Sequence, residues 1–301
     1  MVHEMKFVVF RNPTAQNRPY ANYRVGAMID NETIFDLTPS VLPLGLTADE
    51  VLRCYDLETD FLKFANEAVA TGELPVLNRD DVKLEAPVPR PSKIICIGLN
   101  YLDHVKESGA EIPKAPLIFS KFNTCVAASE DSILLPVGSE QVDFEAELAV
   151  VIGRRAKNID PKNAMDYVFG YTNFNDVSAR DMQFADGQWQ RGKSCDTFAP
   201  FGEFVATKDE IPDPHSLRIQ FRLNGDTMQN SNTNQLIFKI PELIEYLSRS
   251  ITLEPGDVIA TGTPPGVGFA RKPPIFLKDG DVCEVEIDGL GVLINGVVKN
   301  V

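Results

Sequence analysis

The chain has 301 residues, 44% of them hydrophobic and 24% charged, a balance that excludes disordered, collagen-like and coiled-coil architectures. Its 29 basic and 43 acidic residues leave a formal charge of −14; such a surface repels nucleic-acid phosphates and anionic lipid headgroups, so neither nucleic acid nor a membrane is expected as a partner. An anionic substrate would need local positive charge, from a metal ion or from a few placed lysines and arginines. The five cysteines, Cys54, Cys96, Cys125, Cys195 and Cys283, are odd in number and scattered without a C-x-x-C pair, which predicts reduced thiols and a cytoplasmic location. The amino terminus, MVHEMKFVVFRNP, runs from four apolar residues straight into Arg11 and Pro13, too short an apolar stretch for a signal peptide. The sequon at Asn31, Glu32 and Thr33 is accordingly expected to stay unglycosylated.

In chain order, residues 6–10, 23–30 and 33–38 read as short strands, and helical spacing follows from about 48 to 71,. This predicts a small α+β unit over residues 1–85. Pro87, Pro89 and Pro91 then alternate, which forbids helix and favours an extended connector. The second unit, residues 93–301, is rich in strand patterns punctuated by Asn224-Gly225, Asp279-Gly280, Asp288-Gly289 and Asn295-Gly296. Those dipeptides tolerate positive φ and suit tight hairpins, so antiparallel β structure is expected to dominate. Helices are expected over about 101–108, 161–167 and 241–250, the last with Pro241 as its first helical residue,.

The segment VDFEAELAVVIG, residues 142–153, places Glu145 and Glu147 two apart on a β pattern, with both carboxylates on one face. Such a pair is either a solvated strand edge, the commoner case for charged residues, or a buried pair in want of a cation, as flanking Phe144, Leu148, Val150, Val151 and Ile152 suggest. Asp176 ends another apolar strand pattern; alone it equally suits a turn cap. Three carboxylates are the donor set that Mg²⁺, Mn²⁺ or Ca²⁺ accepts, and zinc is disfavoured without His or Cys. His3 lies in the terminus and His215 in a loop, which leaves His104. With Glu107 three residues on, it forms either a surface ion pair or an imidazole held by a carboxylate so that it can take a proton from water. No G-x-S-x-G elbow for serine chemistry is present. Residues 187–194, GQWQRGKS, fit the phosphate-loop pattern literally, but polar SARDMQFAD precedes them and Pro200 follows, so the strand and helix of a nucleotide site are missing.

Six separated stretches, IGLNYLDHVKE, LIFSKF, VDFEAELAVVIG, the run from Asn175 through Asp176, Arg180 and Gln183, WQRGKSCD and VIATGTPPGVG, resemble in identity and order the fumarylacetoacetate hydrolase family, over Lys93 to Val301. The resemblance implies an α+β, β-rich fold: a mixed β-roll around a metal, behind a small amino-terminal α+β domain, in a homodimer. It implies Glu145, Glu147 and Asp176 as ligands of Mg²⁺ or Mn²⁺, Lys193 as a buried lysine beside the metal, and His104 with Glu107 as a water-activating dyad on a short lid helix. Lys121, Arg180, Gln183 and Thr263 fall where relatives hold substrate oxygens. Phe122 stands where relatives often carry proline, which bears on the pocket wall.

The expected substrate is a small anionic 2-oxo acid that chelates the cation through two oxygens, with Lys193 stabilising an enolate. Water delivered by the dyad would make the enzyme a hydrolase of acylpyruvate-type carbon–carbon bonds, the leading expectation. Cleavage of a bond to carboxylate would make it an oxaloacetate-type decarboxylase, and proton transfer without cleavage an enol–keto isomerase. A metal-binding scaffold without catalysis is the alternative from another class.

Overall fold

The computed structural model describes residues 5–11, 22–28, 30, 32–41, 46–59, 61–109, 111–185 and 187–299. His3 and Asn31 lie outside the described residues. The chain adopts the mixed, strand-rich fold with few helices that was expected. Its centre is the antiparallel pair Ala146–Ile152 and Val168–Asn175, buried along their whole length and registered from Ala146 opposite Asn175 to Val151 opposite Gly170. Apolar residues on both faces mark a strand covered on both sides. From Ala146–Ile152 the sheet continues through Val258–Ala260 and Ile94–Gly98 to Leu117–Lys121; from Val168–Asn175 it continues through Val205–Thr207 to Lys6–Arg11, Arg24–Met28, Thr33–Asp36 and Val76–Asn78. The first strand of the chain is thus hydrogen-bonded into the sheet that carries the acids. Phe7 and Tyr55 meet Phe169 edge-on at 6.1 and 4.7 Å between ring centres, so the core is continuous across that junction.

A second sheet runs in the order Asp226–Asn232, Arg218–Leu223, Val282–Ile287, Val292–Lys299 and Ile133–Leu135. It packs on the first where Phe144 stacks on Phe221 at 4.1 Å,. Asn224 and Gly225, at φ of 54° and 85°, join Leu223 to its direct partner Asp226 in the tight hairpin their sequence predicts. Asn295-Gly296 departs from that expectation and lies inside Val292–Lys299. The buried Asn295 amide donates to the carbonyls of Ala128 at 2.9 Å and Asp131 at 2.8 Å, so a neighbouring turn claims the asparagine.

The helical spacing at 48–71 forms two helices, Ala48–Arg53 and Phe61–Thr71. The first opens on a capping box in which Thr47 N donates to Glu50 Oε2 at 2.7 Å,. The predicted helix at 241–250 is Ile240–Ser250, that at 161–167 is the 3-10 helix Pro161–Tyr167, and that at 101–108 is Leu102–Ser108, stopped by left-handed Gly109,. Among the described residues no helix is long and apolar enough to cross a membrane.

Candidate active site

The register of the central strands brings the three acids together. With Ala146 opposite Asn175, Glu145 and Glu147 flank the point where Asp176 leaves the neighbouring strand. Glu145 N donates to Asn175 Oδ1 at 3.0 Å and Asp176 N to Glu145 O at 2.9 Å, which staples the two segments. All three side chains are buried and offer oxygens within 4.8 Å of one another, so the solvated-edge alternative does not describe this strand.

Buried cations surround the cluster. Lys193 Nζ lies 2.8 Å from both Glu145 Oε2 and Asp176 Oδ2. Lys121 Nζ pairs with Asp176 Oδ1 and donates to Val177 O at 3.0 Å. Arg180 Nη2 lies 2.6 Å from Glu145 Oε1 and 2.8 Å from Asp143 Oδ2, and its Nη1 donates to Gln183 Oε1 at 3.0 Å. Glu147 is different: its Oε2 accepts from Gly262 N at 2.8 Å, and no ion pair reaches it among the described residues. Gly262 has a φ of 106°, and a Cβ there would meet Asn100 Cβ at 2.8 Å, so this backbone donor needs glycine.

These environments split the acids. Burial alone would raise the Glu145 pKa, but Lys193 and Arg180 outweigh it and pull the group down to about 2. Burial, then the charges of Asp176 and Glu145, push Glu147 well above the usual carboxylate range. Burial disfavours the Lys193 ammonium, yet Asp176 and Glu145 raise its pKa and keep it charged,. A cluster of hard oxygen donors with one acid lacking a counter-charge fits a divalent metal ion.

The rim of the site is built from the helix Leu102–Ser108 and the loop at 262–272. His104 Nδ1 lies 3.3 Å from Glu107 Oε2, and both Glu107 oxygens accept from Gly266 N at 3.1 Å. Asp103 Oδ2 accepts from Ser231 Oγ, which ties down the other end of the helix. His104, Glu107, Glu145, Glu147, Arg180, Gln183, Lys193 and Thr263 line one cavity of about 460 Å³, where apolar Ile97, Leu99, Phe119, Trp189, Val267 and Phe269 supply much of the wall. Lys121 and Asp176 do not line it. Phe122 is 57% exposed and lies away from it. Within GQWQRGKS, Gln190–Lys193 is a four-residue helix, and a Cβ on Gly192 would lie 2.4 Å from Gln183 N; the glycine serves close packing and aims Lys193 at the acids.

Four residues that sequence reasoning passed over complete the site. Gln229 is fully buried; its Oε1 accepts from Ala146 N at 2.9 Å while its Nε2 donates to Thr263 Oγ1 at 2.9 Å. The Thr263 hydroxyl in turn donates to Ala146 O at 2.9 Å. Asn100 Nδ2 donates to Thr261 O at 2.7 Å and fixes the loop that presents Gly262. Asp143 clamps Arg180 and accepts from Gly268 N at 2.7 Å. Lys272, exposed, lines the cavity beside Ala270. Asn100 and Asp143 stand out locally as an amide and an acid among apolar residues, while Gln229 in DTMQNSN and Lys272 in ARKPP carry no local signal; the sequence reveals no distant partner for any of the four.

Residues 93–298 match the family profile described as fumarylacetoacetate (FAA) hydrolase C-terminal. Relatives include the rat "oxaloacetate tautomerase Fahd2a, mitochondrial", 52% identical over 238 residues (79% of this chain, 76% of the relative), and human "oxaloacetate tautomerase FAHD2A, mitochondrial", 51% identical over 239 residues (79% and 76%). Similar solved structures include a fumarylacetoacetate hydrolase from Exiguobacterium antarcticum (35% identical, TM-score 0.82, covering 98% of this chain and all of that one). Others are a 5-carboxymethyl-2-hydroxymuconate delta-isomerase from Mycobacterium smegmatis (32%, 0.76, 98% and 100%) and a Sphingobium maleylpyruvate hydrolase in complex with manganese and pyruvate (32%, 0.77, 99% and 100%). The mitochondrial relatives overturn the cytoplasmic expectation drawn from the cysteines. All five are free thiols, but reduced thiols separate reducing from oxidising compartments and do not distinguish one reducing compartment from another. On the matched span and on these relatives, the chain belongs to the fumarylacetoacetate hydrolase family.

Proposed function

We propose that the protein is a Mg²⁺- or Mn²⁺-dependent enol–keto tautomerase of oxaloacetate-type 2-oxo acids. The observation that carries this reading is the likeness, at about half of the aligned positions over 79% of the chain, to relatives named oxaloacetate tautomerase. It replaces acylpyruvate hydrolysis as the leading activity. The metal, held by Glu145, Glu147 and Asp176, would polarise the 2-oxo group and neutralise the neighbouring carboxylate.

The chain's own residues have distinct tasks. Lys193 spends two of its three N–H donors on Glu145 and Asp176, so the third holds negative charge that develops on the substrate oxygen. His104 turns Nδ1 toward Glu107, which leaves Nε2 to move the proton between carbon 3 and that oxygen. Glu107, fixed by Gly266 N, orients the imidazole. Gln183 gives its carbonyl to Arg180, so its amide N–H groups remain for a substrate oxygen. No water attack is required.

The test is dilution of enol oxaloacetate from an aprotic solvent into buffer. The protein with Mg²⁺ or Mn²⁺ should accelerate loss of the enol absorbance, and a chelator should abolish the effect. Cleavage of acetylpyruvate without acceleration of enol loss would return the hydrolase to first place.

A further inference from the structure

We infer that Lys272 recognises the second carboxylate of a 2-oxo diacid and so gives the site a preference for diacids over monoacids. This rests on the 2-oxo acid chemistry proposed above and adds a specificity determinant to it.

Three cationic side chains line the cavity: Lys193, Arg180 and Lys272. Lys193 is committed to Glu145 and Asp176. Arg180 is committed to Asp143, Glu145 and Gln183. Both are buried and serve the acid cluster, where one end of the substrate must sit. Lys272 is exposed and has no hydrogen-bond or ion-pair partner among the described residues. Its neighbour Arg271 shows the contrast, because its guanidinium is tied to the carbonyls of Gly266 and Met228.

The segment that carries Lys272 is fixed. Gly266 N is held by Glu107, Gly268 N and Phe269 N by Asp143, and Ile275 N donates to Gly268 O at 3.0 Å. A mobile lysine on a fixed base at a cavity wall suits a distal anion whose distance from the acid cluster varies between substrates. Phe269, Phe184 and Val267 line the cavity beside it, and such low-dielectric walls strengthen the attraction of one unpaired cation for one carboxylate.

The test reads binding. The single tryptophan, Trp189, lines the cavity, so its fluorescence reports occupancy of the Mg²⁺-loaded protein. Titrations with oxaloacetate and 2-oxoglutarate as diacids, and pyruvate as the monoacid, are compared in the wild type, Lys272→Gln and Lys272→Arg. We expect the diacid dissociation constants to rise about tenfold in Lys272→Gln and recover in Lys272→Arg, with pyruvate unchanged. In turnover the Lys272→Gln loss should fall on KM and leave kcat nearly intact. Equal weakening of pyruvate, unchanged diacid binding, or a wild type that does not prefer diacids would each overturn the inference. A wild type that prefers diacids but does not accelerate enol loss would refute the tautomerase reading alone.

Discussion

The floor and the rim of the cavity are built on opposite principles. In the floor, Glu145, Glu147, Lys193 and Arg180 are buried on or beside central strands; Lys193 and Arg180 pair with Glu145, Lys193 also pairs with buried Asp176, and Glu147 is held by Gly262 N. In the rim, His104 and Glu107 sit on a seven-residue helix with partly exposed side chains, held by a neighbouring loop. A charge in the floor is part of the fold, because removing one member leaves the remaining buried charges out of balance in low dielectric,. A charge in the rim is backed by solvent, so it can change protonation or move without cost to the core. The division suits a reaction that needs a fixed electrostatic frame and one mobile proton carrier.

The comparison is broken most directly at Lys193. Lys193→Ala should destabilise the protein by about 3–5 kcal/mol, because Glu145 and Asp176 lose their shared counter-charge; chemical denaturation measures this, and a loss under about 1 kcal/mol would show that the floor is not one electrostatic unit. Next is His104→Ala, expected to lower kcat for enol loss by about 10² to 10⁴ while melting temperature and metal affinity stay at wild-type values. An equal fall in stability would erase the distinction between floor and rim. Glu147→Ala removes one of three oxygen donors and should weaken divalent binding by at least about 100-fold, since losing even an outer partner of a ligand costs 10- to 100-fold; calorimetric titration with Mn²⁺ decides, and unchanged affinity would refute the ligand set.

The smallest expected effect lies outside both regions. His215 Nε2 accepts from Ile240 N at 3.2 Å, at the start of the helix Ile240–Ser250. Burial, then the nearby Lys239 charge, lower its pKa. The fold therefore prefers the neutral ring. That preference contributes fully above the unfolded value of about 6.5 and is lost as pH falls through the lower folded value. We expect about 1 kcal/mol of stability to disappear on mild acidification, and His215→Phe to flatten that slope. Thermal melts of the wild type and His215→Phe across this pH range check the assignment; an unchanged slope in His215→Phe would refute it.

The floor was more legible in the sequence than the frame that holds it. Glu145 and Glu147 could be paired because alternation along a strand is a local rule, and the apolar flanks already pointed to burial. Asp176 could be suspected from its place at the end of an apolar run. Gln229 and Asn100 could not, because each acts on residues more than 80 positions away in sequence, Ala146 and Thr261. Asn295-Gly296 was misread for the same reason: a local turn signal gave way to the distant carbonyls of Ala128 and Asp131. The strands at 6–10 and 33–38 were legible as strands, while the pairing of Lys6–Arg11 with Val205–Thr207 depends on a register that no local pattern contains.

That last pairing has a consequence for how the chain is made. Lys6–Arg11 can join Arg24–Met28 and Lys83–Glu85 early, so the amino-terminal strands leave the ribosome able to form a meander. Their inner edge, Lys6 and Phe7, waits for Ala206 and Val205, about 200 residues later and roughly 10 to 40 s behind at ordinary elongation rates. For most of that interval Phe7 and Tyr55 lack Phe169, the ring that closes their cluster, and an unpaired strand edge stands beside exposed aromatic surface. The nascent chain is therefore most open to mispairing while Val168–Asn175 is still to come, and a chaperone that shields this edge until the central strands emerge would raise the yield of folded protein.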